Sequence, residues 1–208
     1  MKKEYICTPE SAFVSAQKFF KASTILYNLL TEELRALNNK PETISREPFV
    51  VNASFALETY LKCLHAIEKN GKFPHGHKLK TELYDTLSDT TKQNIKDNYL
   101  MILKENRLLN KLIAEKVVKS EVILSELAFE KVLGQIDKAF ENWRYSYHEM
   151  PKELHNMLIE LILATHLVVL KLKPELGNIN KLSAIPRIKS HQFMLKEQGV
   201  YKFYFVEE

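Results

Sequence analysis

The chain has 208 residues, a formal net charge of +4, five glycines, seven prolines and two cysteines. This length is enough for one domain with a sizeable core, and the scarcity of turn residues favours a helical protein. Two isolated cysteines argue against a disulfide framework and predict a reduced, cytoplasmic protein. The basic start lacks an apolar segment of signal-peptide type, and no apolar run is long enough to cross a bilayer, so we expect no export signal and no membrane span.

The first helix is predicted to begin at Thr8-Pro9, with Thr8 as the cap and Pro9 in the first helical position. Apolar residues then recur every three or four positions through Leu37, and the run Asn38 to Pro41 ends the helix. A second helix is predicted from near Pro48 to about Asn70, where Asn-Gly is a stop signal.

Shorter helices follow along the chain. An amphipathic segment carries Leu79 and Leu83, and the polar run that starts at Ser88 can cap the next helix. The charged segment over residues 99–118 fits either a partly buried helix or a region that moves. The pattern also predicts a helix over residues 123–149 that Pro151 interrupts, and an apolar last helix over residues 154–172.

The composition changes at Lys173-Pro174. Residues 200–206 alternate as a β-strand does, and residues 188–195 are the expected partner strand across a four-residue loop. An isolated hairpin is marginally stable in water, so we expect it to pack on the bundle or on another subunit. We therefore predict two parts, a helical bundle over residues 1–173 and a C-terminal extension over residues 174–208.

The second helix carries a Glu and a Lys one turn apart, at positions 58 and 62, beside an apolar face. One interpretation is a solvated i,i+4 pair with little energetic effect. The other is a functional or buried pair, because the polar segment Trp143 to Glu149 offers Arg144 as a partner for Glu58. Such an ion pair would link the two helices inside the bundle.

Three motifs, in this order, resemble the HEPN superfamily of α-helical domains. They are Ala56-Leu57-Glu58 with Leu61-Lys62, then Gly76-His77-Lys78-Leu79, and finally Trp143-Arg144-Tyr145-Ser146-Tyr147. The resemblance covers about residues 11–173 and leaves the tail unexplained. It implies an all-α multi-helix bundle that dimerises around a polar cleft, and it implies association with RNA, often in prokaryotic toxin-antitoxin or phage-defence systems.

Many HEPN proteins are metal-independent endoribonucleases that use an Arg and a His separated by four to six residues. Here Arg144 and His148 enclose only three residues, which departs from that pattern. On a helix they still share one face, so His148 can act as acid or base on a ribose hydroxyl while Arg144 holds the phosphate. The competing interpretation is structural, with Arg144 paired to Glu58 and His148 at a helix end.

Other chemistry finds less support in the sequence. His65, His75 and His77 lack an acidic or thiolate companion, so we predict no metal site, and His77 is expected to cap the helix that opens at Lys78. His166 is expected to be a core residue. No phosphate loop or nucleophile elbow is present. The tail is rich in lysine next to aromatic residues, which suits either single-stranded RNA or an ordinary solvated surface.

The sequence therefore predicts an all-α, HEPN-like bundle with a small C-terminal β hairpin, which acts as a homodimer without a cofactor. The first functional hypothesis is a non-catalytic or weakly catalytic module that binds RNA or a partner protein such as an antitoxin. Its candidate binding residues are Glu58, Lys62, His77, Tyr145 and Tyr147. The alternative is an endoribonuclease that uses Arg144 and His148 at a dimer cleft.

Overall fold

A computed structural model describes residues 4–36, 45–106, 110, 114, 128–137, 158–179, 192–197 and 200–205. These residues are mostly helical, which confirms the coarse prediction of an α-helical bundle. The helices are α1 (Pro9–Ala36), α2 (Arg46–Glu68), α3 (Asp89–Glu105), α4 (Phe129–Gln135), α5 (Leu158–Leu172) and α6 (Leu176–Ile179). A π-helical turn, Leu79–Leu83, and a 3-10 turn, Tyr84–Thr86, lie between α2 and α3 in the chain.

The predicted helix boundaries at α1, α2 and α3 follow local sequence signals. Thr8 Oγ1 accepts the backbone N–H of Ser11 at 3.1 Å, which caps α1. Asn70 and Gly71 both have positive φ values, 50° and 88°, so the chain turns sharply after α2. Ser88 Oγ accepts the N–H of Thr91 at 3.2 Å and caps α3. These three predictions are confirmed.

Helix α2 is central to the described part of the bundle. It packs along α1 on one side and against α5 on another, and α5 also packs against α3. Fully buried apolar side chains fill the space between these helices, among them Phe13, Phe20, Leu57, Leu61, Ile162 and Val169. Burial of this kind of side chain stabilises a fold by about 1.5 to 3 kcal/mol per residue, so this core is what fixes the position of α2.

Helix α4 ends earlier than the sequence pattern predicts. Its last residue is Gln135, and the carboxylate of Asp137 accepts the backbone N–H groups of Lys80 at 2.6 Å and Thr81 at 2.9 Å. The Asp137 carbonyl also accepts the N–H of Leu79 at 3.0 Å. The start of the π-helical turn thus takes its hydrogen-bond acceptors from a residue 57 positions away from Lys80. Continuation of the helix would remove Asp137 from this position.

Two short antiparallel strand pairs accompany the helices. Strand β1 (Glu4–Ile6) pairs with β2 (Lys72–Pro74), which joins the start of the chain to the segment after α2. Strands β3 (Gln192–Glu197) and β4 (Val200–Phe205) pair from Gln192 with Phe205 to Glu197 with Val200. Their side chains lie outside the described part, so the packing of the C-terminal hairpin on the bundle stays a prediction.

The predicted boundary at residue 173 also stays a prediction, although the bundle core reaches slightly beyond it. Leu176, in α6, is fully buried. Lys173 at the end of α5 forms an ion pair with Glu10 in the first turn of α1. Among the described residues, no helix is long and apolar enough to cross a membrane.

Candidate functional site

The candidate site is centred on Glu58, whose carboxylate lies inside the bundle. Glu58 is only 4% exposed because its neighbours on α2 pack into the core. Lys62, one turn later, donates from Nζ to Glu58 Oε1 at 2.7 Å, and its side chain is 16% exposed. The interpretation of this pair as a solvated surface pair is therefore wrong. A buried carboxylate needs compensating donors, and Lys62 supplies the first of them.

His77 supplies the second donor to the same carboxylate. Its ring Nδ1 lies 3.0 Å from Glu58 Oε1 and 3.2 Å from Oε2. A carboxylate only accepts hydrogen bonds, so the proton of this contact belongs to the imidazole Nδ1. The imidazole is thus held in one orientation, with 43% of the side-chain surface exposed. Two motifs nineteen residues apart meet in this contact.

Glu82 holds the turn that presents His77. Its Oε2 accepts the backbone N–H of His77 at 3.1 Å and that of Lys78 at 3.2 Å. The prediction that the His77 side chain caps this helix is therefore wrong, because Glu82 satisfies these amides and the imidazole faces Glu58. Gly76 makes this arrangement possible, since a Cβ there would lie 2.3 Å from Glu82 Oε2.

Aromatic rings lie around the cluster formed by Glu58, Lys62 and His77. Lys62 Nζ is 5.6 Å from the centroid of the Phe73 ring, a cation–π distance. The ring of His75 is 6.1 Å from that of His77 in an edge-to-face arrangement. The polar cluster therefore continues outward to the surface of the turn.

The segment over residues 69–80, which contains the turn that presents His77, has an unusual charge composition. Residues 69–80 contain four lysines and two histidines, and no aspartate or glutamate. Some of this charge is offset by neighbours, since Lys80 Nζ lies 3.0 Å from Asp85 and Lys78 Nζ lies 4.0 Å from Glu82. Lys72 in β2 is exposed. Basic groups beside aromatic rings suit a polyanionic ligand.

Four of the predicted site residues, Arg144, Tyr145, Tyr147 and His148, lie outside the described residues. The structure brings together the other three, Glu58, Lys62 and His77. The predicted ion pair between Glu58 and Arg144 thus stays a prediction. Glu82 and Asp137 were not predicted as contributors to the turn, because each acts on backbone amides that only the folded chain brings near it.

The other described histidines have structural contacts. His166 stacks on Phe13 and its Nδ1 lies 3.1 Å from the Tyr60 hydroxyl, and its burial lowers its pKa. This confirms its predicted place in the core. His65 Nε2 lies 2.9 Å from the Leu83 carbonyl oxygen, which ties α2 to the π-helical turn. Within the described part of the chain, no group of three or more His, Cys, Asp or Glu residues could hold a metal ion.

A second buried carboxylate lies on α5. Glu160 is 9% exposed, and Asn106 Nδ2 donates to its Oε1 at 3.4 Å. Burial raises the pKa of Glu160 to about 7, far above the usual range of a glutamate. In the sequence, Glu160 is marked only as a single acidic residue in an apolar helix.

An open groove of about 690 Å³ lies between the start of α1 and the ends of α2 and α5. Cys7, Glu10, Ile67, Leu172 and Lys173 are among its lining residues. Glu58, Lys62 and His77 do not line it, so it is a separate feature from the cluster around Glu58.

Comparisons of the chain with protein-family models, with curated proteins and with solved structures give no match. The resemblance to the HEPN superfamily is therefore supported by the sequence motifs alone and stays a prediction.

Proposed function

We propose that this chain is a HEPN-like module that binds RNA, as a component of a prokaryotic defence or toxin-antitoxin system. The observation that supports the proposal is the contact between His77 and Glu58. The residues that carry the resemblance come from two separate motifs, and they form one hydrogen-bonded cluster with Lys62. If the resemblance were accidental, there would be no reason for Glu58 and His77 to lie in hydrogen-bonding contact.

The charge of the turn favours RNA over other ligands. The cluster fixes the turn to α2, and the turn presents lysines, two histidines and the Phe73 ring without an acidic residue between positions 69 and 80. Phosphate groups provide most of the affinity in such interfaces, and aromatic rings stack on unpaired bases. A partner protein, such as an antitoxin, is the other ligand that the resemblance implies for this module.

Fluorescence anisotropy with a single-stranded RNA of mixed sequence tests this proposal. We expect Lys72→Gln to weaken binding and to lower the salt slope by about 0.7, the value for one lost phosphate contact on a single strand. Lys18→Gln removes another exposed lysine, from α1, and is the matched control. Absence of RNA binding, or equal effects of the two variants, would argue against this surface.

The same samples test the alternative, an endoribonuclease that uses Arg144 and His148. Total RNA is incubated with the protein in EDTA, beside the His148→Ala variant. We expect weak or no cleavage. If these residues do act, the 2′-hydroxyl is the nucleophile, the products carry 2′,3′-cyclic phosphates, and loss of the proton-transfer group costs about 100- to 10,000-fold in rate. Robust cleavage in EDTA that disappears in His148→Ala would replace the binding-only proposal.

A further inference from the structure

The two ring nitrogens of His77 lie in different surroundings. Nδ1 is 3.0 Å from Oε1 of Glu58, which is only 4% exposed, so this edge of the ring faces the interior. Nε2 lies on the opposite side of the ring, and 43% of the side-chain surface of His77 is exposed. The charges of Glu58 and Lys62 balance each other, so the cluster needs no charge from the ring. With its proton on Nδ1, the neutral imidazole has Nε2 as a hydrogen-bond acceptor.

The lysines and the backbone amides beside His77 are donors. Residues 69–80 contain four lysines, whose ammonium groups can only donate hydrogen bonds. The N–H groups of His77 and Lys78 donate to Glu82 Oε2, at 3.1 and 3.2 Å, and thus serve the fold. Ammonium groups suit phosphate oxygens, which RNA and DNA share. The lysines therefore provide affinity without distinguishing one sugar from the other.

An acceptor such as Nε2 of His77 recognises a different part of a nucleic acid. The ribose 2′-hydroxyl donates a hydrogen bond, and a deoxyribose has no group at that position. The contact with Glu58 already fixes the orientation of the ring, so little conformational freedom is lost when a ligand binds to it. A fixed acceptor beside a row of lysines therefore suits a phosphate chain whose sugars carry hydroxyl groups.

We propose that His77 selects RNA over DNA by accepting a hydrogen bond from a ribose 2′-hydroxyl at Nε2. Glu58 is the positioning residue, because its carboxylate holds the proton of the ring on Nδ1. The inference rests on the RNA binding proposed above and adds to it the sugar that this site recognises. It involves no bond cleavage, so it is independent of the alternative that uses Arg144 and His148.

Fluorescence anisotropy with two single strands of one sequence tests the proposal. One strand is RNA, and in the other every 2′-hydroxyl is replaced by fluorine, which keeps the phosphates and the sugar pucker of RNA but cannot donate a hydrogen bond. We expect the wild-type protein to bind the RNA strand more tightly. His77→Asn keeps an amide that can donate to Glu58 and loses the ring acceptor. This variant should reduce the ratio of the two affinities by about 2- to 12-fold, the effect of one net hydrogen bond, with the affinity for the 2′-fluoro strand unchanged.

Two other variants are the matched controls. His75→Asn makes the same change in a neighbouring exposed histidine, whose ring centroid is 6.1 Å from that of His77, and it should keep the wild-type ratio. Lys72→Gln should weaken the binding of both strands equally, because it removes a contact to phosphate, and it should also keep the ratio. A purely structural role of His77 would change the affinity for both strands together, and the ratio would stay the same.

The outcomes separate this inference from the function on which it rests. Absence of RNA binding in the wild-type protein would overturn both. Binding of the two strands with equal affinity would overturn the selection by His77 alone, and so would an unchanged ratio in His77→Asn or an equal fall in His75→Asn. If His77→Asn does not fold, His77→Ala replaces it in the same comparison, since it also removes the acceptor and leaves the contact between Lys62 and Glu58 in place.

Discussion

Replacing Glu160 with glutamine tests how far the bundle core disfavours a charge. Glutamine has nearly the same shape and can still accept a hydrogen bond from Asn106. The pKa of Glu160 is raised from 4.5 to about 7 because the carboxyl group is buried. Between these two values the unfolded chain releases the proton while the folded chain keeps it. The folded state therefore loses stability as the pH rises through this window, and the loss is complete above about pH 7.

The size of the effect follows from the two pKa values. Their difference of about 2.5 corresponds to about 3 kcal/mol, at about 1.36 kcal/mol per pKa unit. We expect Glu160→Gln to be more stable than the wild-type protein by up to this amount at pH 8.5, and to be close to it near pH 4.5. For a chain of this length, about 3 kcal/mol corresponds to a Tm increase of about 6 to 12 °C.

Thermal and urea denaturation at pH 4.5, 6 and 8.5 measure this difference. Glu105→Gln is the matched control, since Glu105 is exposed at the end of α3, and we expect only a small change at each pH. A Glu160→Gln variant that is less stable than the wild-type protein at pH 8.5 would refute the reasoning. It would show that the carboxylate is ionised in the folded protein and stabilised there.

Three other changes test the site and the tail. Glu58→Ala should lower stability by about 3 to 5 kcal/mol, because it leaves the largely buried Lys62 ammonium without its carboxylate, whereas Glu105→Ala should change it little in the same urea titration. Gly76→Ala should cost about 1 to 3 kcal/mol by displacing the capping carboxylate, and Gly134→Ala, whose Cβ would meet no atom within 4 Å, should be neutral or stabilising. Deletion of residues 185–208 should reduce solubility or dissociate a dimer. Unchanged stability and unchanged mass in light scattering would show that the tail is dispensable.

The sequence by itself determined the elements whose signals are local. The start of α1 at Thr8-Pro9, the turn after α2 at Asn70-Gly71 and the Ser88 cap of α3 each depend on residues within a few positions of one another. Such signals act through backbone geometry and short-range hydrogen bonds, so they can be read before the fold is known. The apolar periodicity of α2 likewise indicated a core face.

The tertiary structure alone decided which polar groups meet. The pattern Ala-Leu-Glu-x-x-Leu-Lys marked Glu58 and Lys62 as candidates, but it did not show that His77 would donate to Glu58. Helix α4 ends before Asp137, because the Asp137 carboxylate accepts hydrogen bonds from the backbone amides of Lys80 and Thr81, which are distant in sequence. Arg46 and Glu160 are likewise buried only after the helices pack around them. A charge is costly or harmless according to the groups that surround it, and those groups come from distant parts of the chain only after the helices pack.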